Sequence, residues 1–189
     1  PAVDQRKIAS SRAAGEAVMN MLRQDIRPSD ILTRKAFENA VALVVAMGGS
    51  TNTALHLPAI AYEAGIPLNL QDIHDISMRT PLLADMKPGG RYLMYDLDRA
   101  GGIPVIMKRL LEAGVLHGDA MTVTGKTIEE NLASVKDDSK THIYPSNGKP
   151  EPIITSIDDP LSETGGLVTL YGNLAPEGSV IKSTAIDPS

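Results

Sequence analysis

The chain has 189 residues, room for one large domain or slightly more, and a formal net charge of −5 with acidic and basic residues interleaved. It has no dense Lys/Arg cluster to hold a phosphate backbone, and no apolar run, residues 41–47 included, nears the roughly 20 residues of a membrane span. Cysteine is absent, which excludes disulfides, a thiolate nucleophile and any cluster held by thiolates of this chain alone. These features describe a soluble, cytoplasmic protein with neither nucleic acid nor membrane as partner. Hydrophobic residues make up 42% of the chain but aromatics only 3%, so the core must be built from Ala, Val, Ile, Leu and Met. The chain has no initiating Met and stops abruptly at Asp187-Pro-Ser189, as an excised fragment would.

In residues 6–24, Ile8, Ala9, Ala13, Ala17, Met21 and Leu22 fall near helical spacing among good helix formers, which predicts a first helix. Pro28 breaks it, and Ser29 or Thr33 caps a second helix running to about Met47. Gly48-Gly49-Ser50 ends that helix, and Ser50, Thr51 or Asn52 caps a third through about Ala64. Leu70, Ile73 and Ile76 predict a short helix over 69–78, with Asn69 or Asp72 favouring its start. Beyond an irregular stretch with Pro81, Pro88 and Gly89-Gly90, residues 92–99 read as helical. Pro104 sits in the first turn of the next helix, where its missing N–H costs nothing, and Gly114 ends it. Met121-Thr-Val-Thr124 alternates and is β-branched, which predicts a strand. Thr127 with Glu130 predicts a capping box opening a helix to Val135. A polar, Pro-rich connector begins near Asp137, and residues 153–157 read as extended. From Gly165-Gly166 onward, residues 167–171 and 179–182 read as strands joined by a tight turn at Gly172-Asn173.

The most informative local feature is the turn formed by Gly48, Gly49, Ser50, Thr51 and Asn52. Two glycines permit close approach, and N–H groups at a helix start attract carboxylates or phosphates. An ordinary capped turn between two packed helices has the same composition, and the P-loop is excluded because no Lys-Ser/Thr follows the glycines. His56 lies one turn further on and could share the turn's face or simply sit at the edge of the core; His74, His117 and His142 lack the spacing of a helical metal pair. Asp96, Asp98 and Arg99 could position a hydroxyl or form a surface salt network, and Asp119 reads as a turn former.

Four blocks in order, residues 47–61 (MGGSTNTALHLPAIA), 91–102 (RYLMYDLDRAGG), 116–127 (LHGDAMTVTGKT) and 165–176 (GGLVTLYGNLAP), resemble the dihydroxy-acid/phosphogluconate dehydratase family. Blocks 123–127 and 171–176 resemble its dihydroxy-acid branch more than its sugar-acid and phosphogluconate branches, although Asp98 stands where many members carry His. The resemblance implies an α/β fold. Residues 1–140 would be the later, helix-rich part of a three-layer α/β/α amino-terminal domain, 141–164 a connector, and 165–189 the first strands of a β-barrel domain. It further implies an iron–sulfur cluster on three cysteines, magnesium held by carboxylates and a modified lysine, and a serine base, all carried by sequence outside this fragment. The fragment alone would bind no cofactor and be inactive, whereas the full enzyme, a homodimer, would dehydrate 2,3-dihydroxy acids to 2-oxo acids in branched-chain amino acid biosynthesis. A non-catalytic anion-binding module built on the 48–52 turn is the competing expectation.

Overall fold

The structure, a computed structural model, describes residues 4–137 and 148–186. Eight helices precede a β-hairpin: α1 (Arg6–Arg23), α2 (Pro28–Ile31), α3 (Arg34–Ala46), α4 (Thr53–Glu63), α5 (Leu70–Met78), α6 (Met94–Arg99), α7 (Gly102–Glu112), α8 (Ile128–Leu132), then β1 (Leu167–Gly172) and β2 (Ala175–Lys182), ending in a 3-10 turn (Ser183–Ala185). The fold is thus a helix-rich α/β arrangement, and among the described residues the hairpin is the only sheet.

Local chemistry sets several helix ends. Thr33 Oγ1 accepts from Ala36 N at 3.3 Å, so the region predicted as one helix is divided into α2 and α3 by a capped break at Leu32-Thr33. Reciprocal boxes open α5, where Asn69 Oδ1 accepts from Asp72 N and Asp72 Oδ2 from Asn69 N, and α8, where Thr127 and Glu130 do the same. Helix α8 stops at Leu132, three residues short of the expected Val135.

The core collects Val41, Ala42, Val45 and Ala46 of α3, Ile73 and Ile76 of α5, Val105, Ile106 and Leu110 of α7, and the loop residues Leu83, Ala84 and Tyr92. Residues 82–84 are the spine of this assembly. Leu83 N and Ala84 N donate to Ala46 O at the end of α3, while Leu83 O accepts from Thr155 N and Leu82 O from Leu161 N. A smaller cluster, Phe37, Ala61 and Leu68, joins α3 to α4.

The hairpin pairs Leu167 with Lys182 and Leu170 with Ser179, with an irregularity between Leu170 and Gly172. It is fastened to the helices by side-chain hydrogen bonds: Ser77 Oγ donates to Leu167 O at 2.6 Å and Thr169 Oγ1 to Leu70 O at 3.3 Å.

Two expectations are corrected. Residues 121–124 form no strand; Thr122 N donates to Lys126 O and Gly125 N to Thr122 O, closing a tight turn with a single Met121–Thr127 bridge. The hydroxyls of Thr122 and Thr124 bond each other and Asn131, offering the backbone a local alternative to a ladder. Residues 153–157 make no ladder strand either: the chain bends at Ile153 and Ile154, and both bury their side chains, which the alternating pleat of a strand facing one core does not allow. Helix α1 forms as predicted but buries no residue, and Ile8 and Leu22 are 67% and 72% exposed. Most of the Pro-rich connector falls on residues 138–147, outside the described residues.

Candidate functional site

The turn at residues 48–52 lies between α3 and α4. Gly48 and Gly49 have φ of +72° and +41°, a region other residues enter only at a cost, and a Cβ on Gly49 would stand 2.5 Å from Val44 Cγ1. The predicted side-chain cap of α4 is absent: Asn52 occupies the N-cap position but its side chain makes no capping hydrogen bond. Instead Ser50 Oγ accepts from Asn52 N at 3.3 Å, and the N–H groups of Thr53, Ala54 and Leu55 donate back to the carbonyls of Ser50, Thr51 and Asn52. These short-range bonds satisfy the first turn of α4 from within, which removes its N–H groups from the anion-binding inventory. The N–H groups of Gly49, Ser50 and Thr51 make no hydrogen bond among the described residues. Gly48 is buried, Gly49 and Ser50 are half-buried, and Thr51 and Asn52 are exposed. An open groove of about 510 Å³ lies nearby, walled by Ala54 and Pro58 of α4, Asn69, Leu70 and Gln71 at the start of α5, and Tyr171 and Glu177 of the hairpin.

The other residues singled out in sequence have separate roles. His56 is exposed. Asp96 Oδ2 accepts from Leu93 N at the start of α6, Asp98 pairs with Arg6, and Arg99 lies over the Tyr95 ring at 5.8 Å. Asp119 pairs with Lys35 of α3. His142 lies outside the described residues. Among the described residues no group of three His, Cys, Asp or Glu side chains could hold a metal ion.

Two charge clusters escape sequence reading. In the first, Arg34 donates to Glu38 and to Asp72, both at 2.7 Å, and Glu38 also meets His117 Nε2 at 2.6 Å, tying α3, α5 and the 116–120 loop together. The Arg34 hydrogen bond holds the Asp72 carboxyl below its ordinary range against the opposing effect of burial. Burial pushes Glu38 up, but Arg34 and His117 outweigh it and the net shift is downward. A carboxyl with a lowered folded pKa binds fewer protons when folded than when unfolded, so its stabilisation is present above its unfolded pKa of about 4 and lost as pH falls through the folded value. Denaturant midpoints measured at successive pH values are therefore expected to drop below about pH 4, and Arg34→Met should flatten that drop; with Arg34 38% exposed the pairs contribute only about 1 kcal/mol. In the second cluster, Arg109 binds Asp137 and the carbonyls of Ile154 and Thr155 from α7. The i, i+4 pair of Arg34 and Glu38 was the one visible sequence signal; the partners of Arg109 left none.

Comparison with known proteins gives the same family for both halves of the chain. Residues 1–131 match the family model described as dihydroxy-acid/6-phosphogluconate dehydratase N-terminal, and residues 152–189 its C-terminal counterpart. A protein named dihydroxy-acid dehydratase from Acidothermus cellulolyticus is 51% identical over 187 residues, which is 99% of this chain and 32% of that protein. Proteins of the same name from Sulfurisphaera tokodaii and Chromohalobacter salexigens are 51% and 53% identical, across 98% and 97% of this chain and 32% and 30% of their own lengths. The chain thus spans about a third of the length of the curated relatives it matches. With matches running through both its helical and its hairpin parts, the chain belongs to the dihydroxy-acid/6-phosphogluconate dehydratase family.

Proposed function

We propose that the complete protein carrying this chain is a hydro-lyase of the dihydroxy-acid branch, converting 2,3-dihydroxy-3-methylbutanoate and its homologue to 2-oxo acids in branched-chain amino acid biosynthesis. The observation that carries this reading is the identity of about half the residues, across nearly the whole chain, with proteins named dihydroxy-acid dehydratase. In the reaction the C2 proton and the C3 hydroxyl leave as water, and the resulting enol tautomerises to the 2-oxo acid. The same reading gives a cytoplasmic homodimer acting on a small molecule, with no nucleic acid or membrane partner. No helix among the described residues is long and apolar enough to cross a membrane. The division into an α/β/α part at 1–140, a connector at 141–164 and the opening of a β-barrel at 165–189 belongs to this proposal as well.

The residues of this chain do not fit the iron–sulfur cluster or the magnesium that the family resemblance implies. The chain has no cysteine, and its described residues include no cluster of metal-ligating side chains. Ligands for either group would have to come from outside these residues. What the chain offers is the turn of Gly48, Gly49, Ser50, Thr51 and Asn52, whose N–H groups at 49–51 and two hydroxyls could hold a substrate carboxylate.

The test of function compares kcat/KM of the complete protein for 2,3-dihydroxy-3-methylbutanoate and for 6-phosphogluconate, following 2-oxo acid formation. A preference of about tenfold or more for the first is expected. The opposite preference would assign the chain to the phosphogluconate branch, and turnover of neither would leave the anion-binding module as the reading. Replacing Ser50 and Thr51 together by Ala tests the turn. Hydrogen bonds to a charged group contribute about 1.5–3 kcal/mol, so KM should rise by about tenfold or more with iron content unchanged. Unchanged kinetics would remove the turn from the substrate site.

A further inference from the structure

The 48–52 turn has little support of its own. Its one side-chain hydrogen bond runs from Asn52 N to Ser50 Oγ, Asn52 does not cap α4, and both glycines sit in the left-handed region. Its support comes from either side. Towards α3, Gly49 packs so closely that a Cβ would stand 2.8 Å from Val44 O. On the other side lies the corner that opens the hairpin: Gly165 N donates to Ser77 O at 2.8 Å, Gly166 N to Val45 O at 3.0 Å, and Ser183 N to Gly166 O at 3.0 Å. A Cβ on Gly166 would lie 2.5 Å from Gly48 Cα, so the two glycines touch backbone to backbone. Thr184, just past β2, closes the remaining side, with Oγ1 and Cγ2 at 3.4 and 3.7 Å from where a Gly48 Cβ would be. Thr184 Oγ1 is buried and makes no hydrogen bond among the described residues.

We infer that Gly166 and Thr184 are positioning residues for the 48–52 turn, so that the hairpin segment, which matches the C-terminal family model, sets the geometry of a turn in the N-terminal one. Gly166 acts by admitting the close backbone approach, and Thr184 by its shape, since its hydroxyl has no partner to lose. Valine has nearly the same shape as threonine and lacks the unsatisfied hydroxyl, whereas alanine opens a gap beside Gly48. The consequence for catalysis rests on the proposal that this turn holds the substrate; the consequence for the turn's conformation does not.

The experiment is amide hydrogen exchange on the complete protein, with KM measured in parallel, for Gly166→Ala, Thr184→Ala and Thr184→Val. The reporters are the amides of residues 53–56, which bond back to the carbonyls of residues 50–52, compared with the amides of α7. Gly166→Ala and Thr184→Ala are expected to speed exchange at 53–56 by about tenfold relative to α7, and Thr184→Val to leave it unchanged. Equal acceleration in both places, or none, overturns the inference, and so does a Thr184→Val variant that behaves like Thr184→Ala. Should Gly166→Ala fail to fold, the two Thr184 variants carry the test, because they alter only a half-buried side chain. Faster exchange at 53–56 with unchanged KM would keep the positioning role and reject the turn as the substrate site.

Discussion

Replacing Arg109 by methionine is expected to destabilise the protein by about 3 kcal/mol, a large share of the roughly 5–15 kcal/mol that holds a folded domain together. The Arg109 side chain is only 9% exposed and its guanidinium serves three partners: the Asp137 carboxylate, at 2.9 and 3.1 Å, and the carbonyls of Ile154 and Thr155. Methionine fills much of the volume but donates nothing, leaving a partly buried carboxylate and two carbonyls without this donor. Adding Asp137→Asn to Arg109→Met should recover only part of the loss, because neutralising the carboxylate leaves the two carbonyls as they were. The readout is the urea midpoint of the single and double variants. A change under about 0.5 kcal/mol, the size of an ordinary surface substitution, would show that the residues after Pro152 are held without Arg109.

Gly165→Ala is expected to have an effect of similar size from the opposite cause. An added Cβ would stand 2.6 Å from Val45 Cβ and 2.7 Å from Ser77 Oγ, and neither neighbour can retreat. Val45 is fully buried in the core, and Ser77 is held by its 2.6 Å hydrogen bond to Leu167 O. Overpacking of this kind costs about 1–3 kcal/mol, and the blocked path here sits at the junction of α3, α5 and β1, so the upper end is expected. The companion variant Gly65→Ala has open space around its Cβ but φ of +71°, so it pays only backbone strain of about 1 kcal/mol. A larger loss at Gly165 than at Gly65 in thermal unfolding separates steric crowding from the general penalty of replacing glycine. Equal losses would mean the corner relaxes and the hairpin is not locked to α3.

What could be read in the sequence is what short-range chemistry decides. The helix start at Asn69 and Asp72, the Thr127 and Glu130 box, Pro104 in the first turn of α7 and Gly114 beyond its end involve partners within one helical turn, and each stands where it was predicted, with Asn69 and Asp72 going further to form a reciprocal box. The hairpin was legible for the same reason, through β-branched runs around Gly172-Asn173. The misreadings fall where local propensity competed with something else. Residues 121–124 have the composition of a strand but, among the described residues, no neighbouring strand to pair with, so the threonine hydroxyls closed a turn. Ile153 and Ile154 look like an extended pair, yet both enter the core because Arg109 and Leu83 hold the surrounding backbone.

The candidate turn divides in the same way. Its five residues, its two glycines and its place between two helices were evident from the sequence, as was the family, since four ordered blocks carry it. That Gly166 and Thr184 close over Gly48 was decided by tertiary contacts, whereas the uncapped Asn52 and the N–H groups of residues 53–55 already bonded to residues 50–52 are local features that the sequence reading missed. Helix caps and turns are fixed by atoms a few residues apart, so the sequence by itself determined them. The backbone contact of Gly48 with Gly166 and the burial of Arg109 join segments distant along the chain, and no local pattern records such a meeting before the chain has folded.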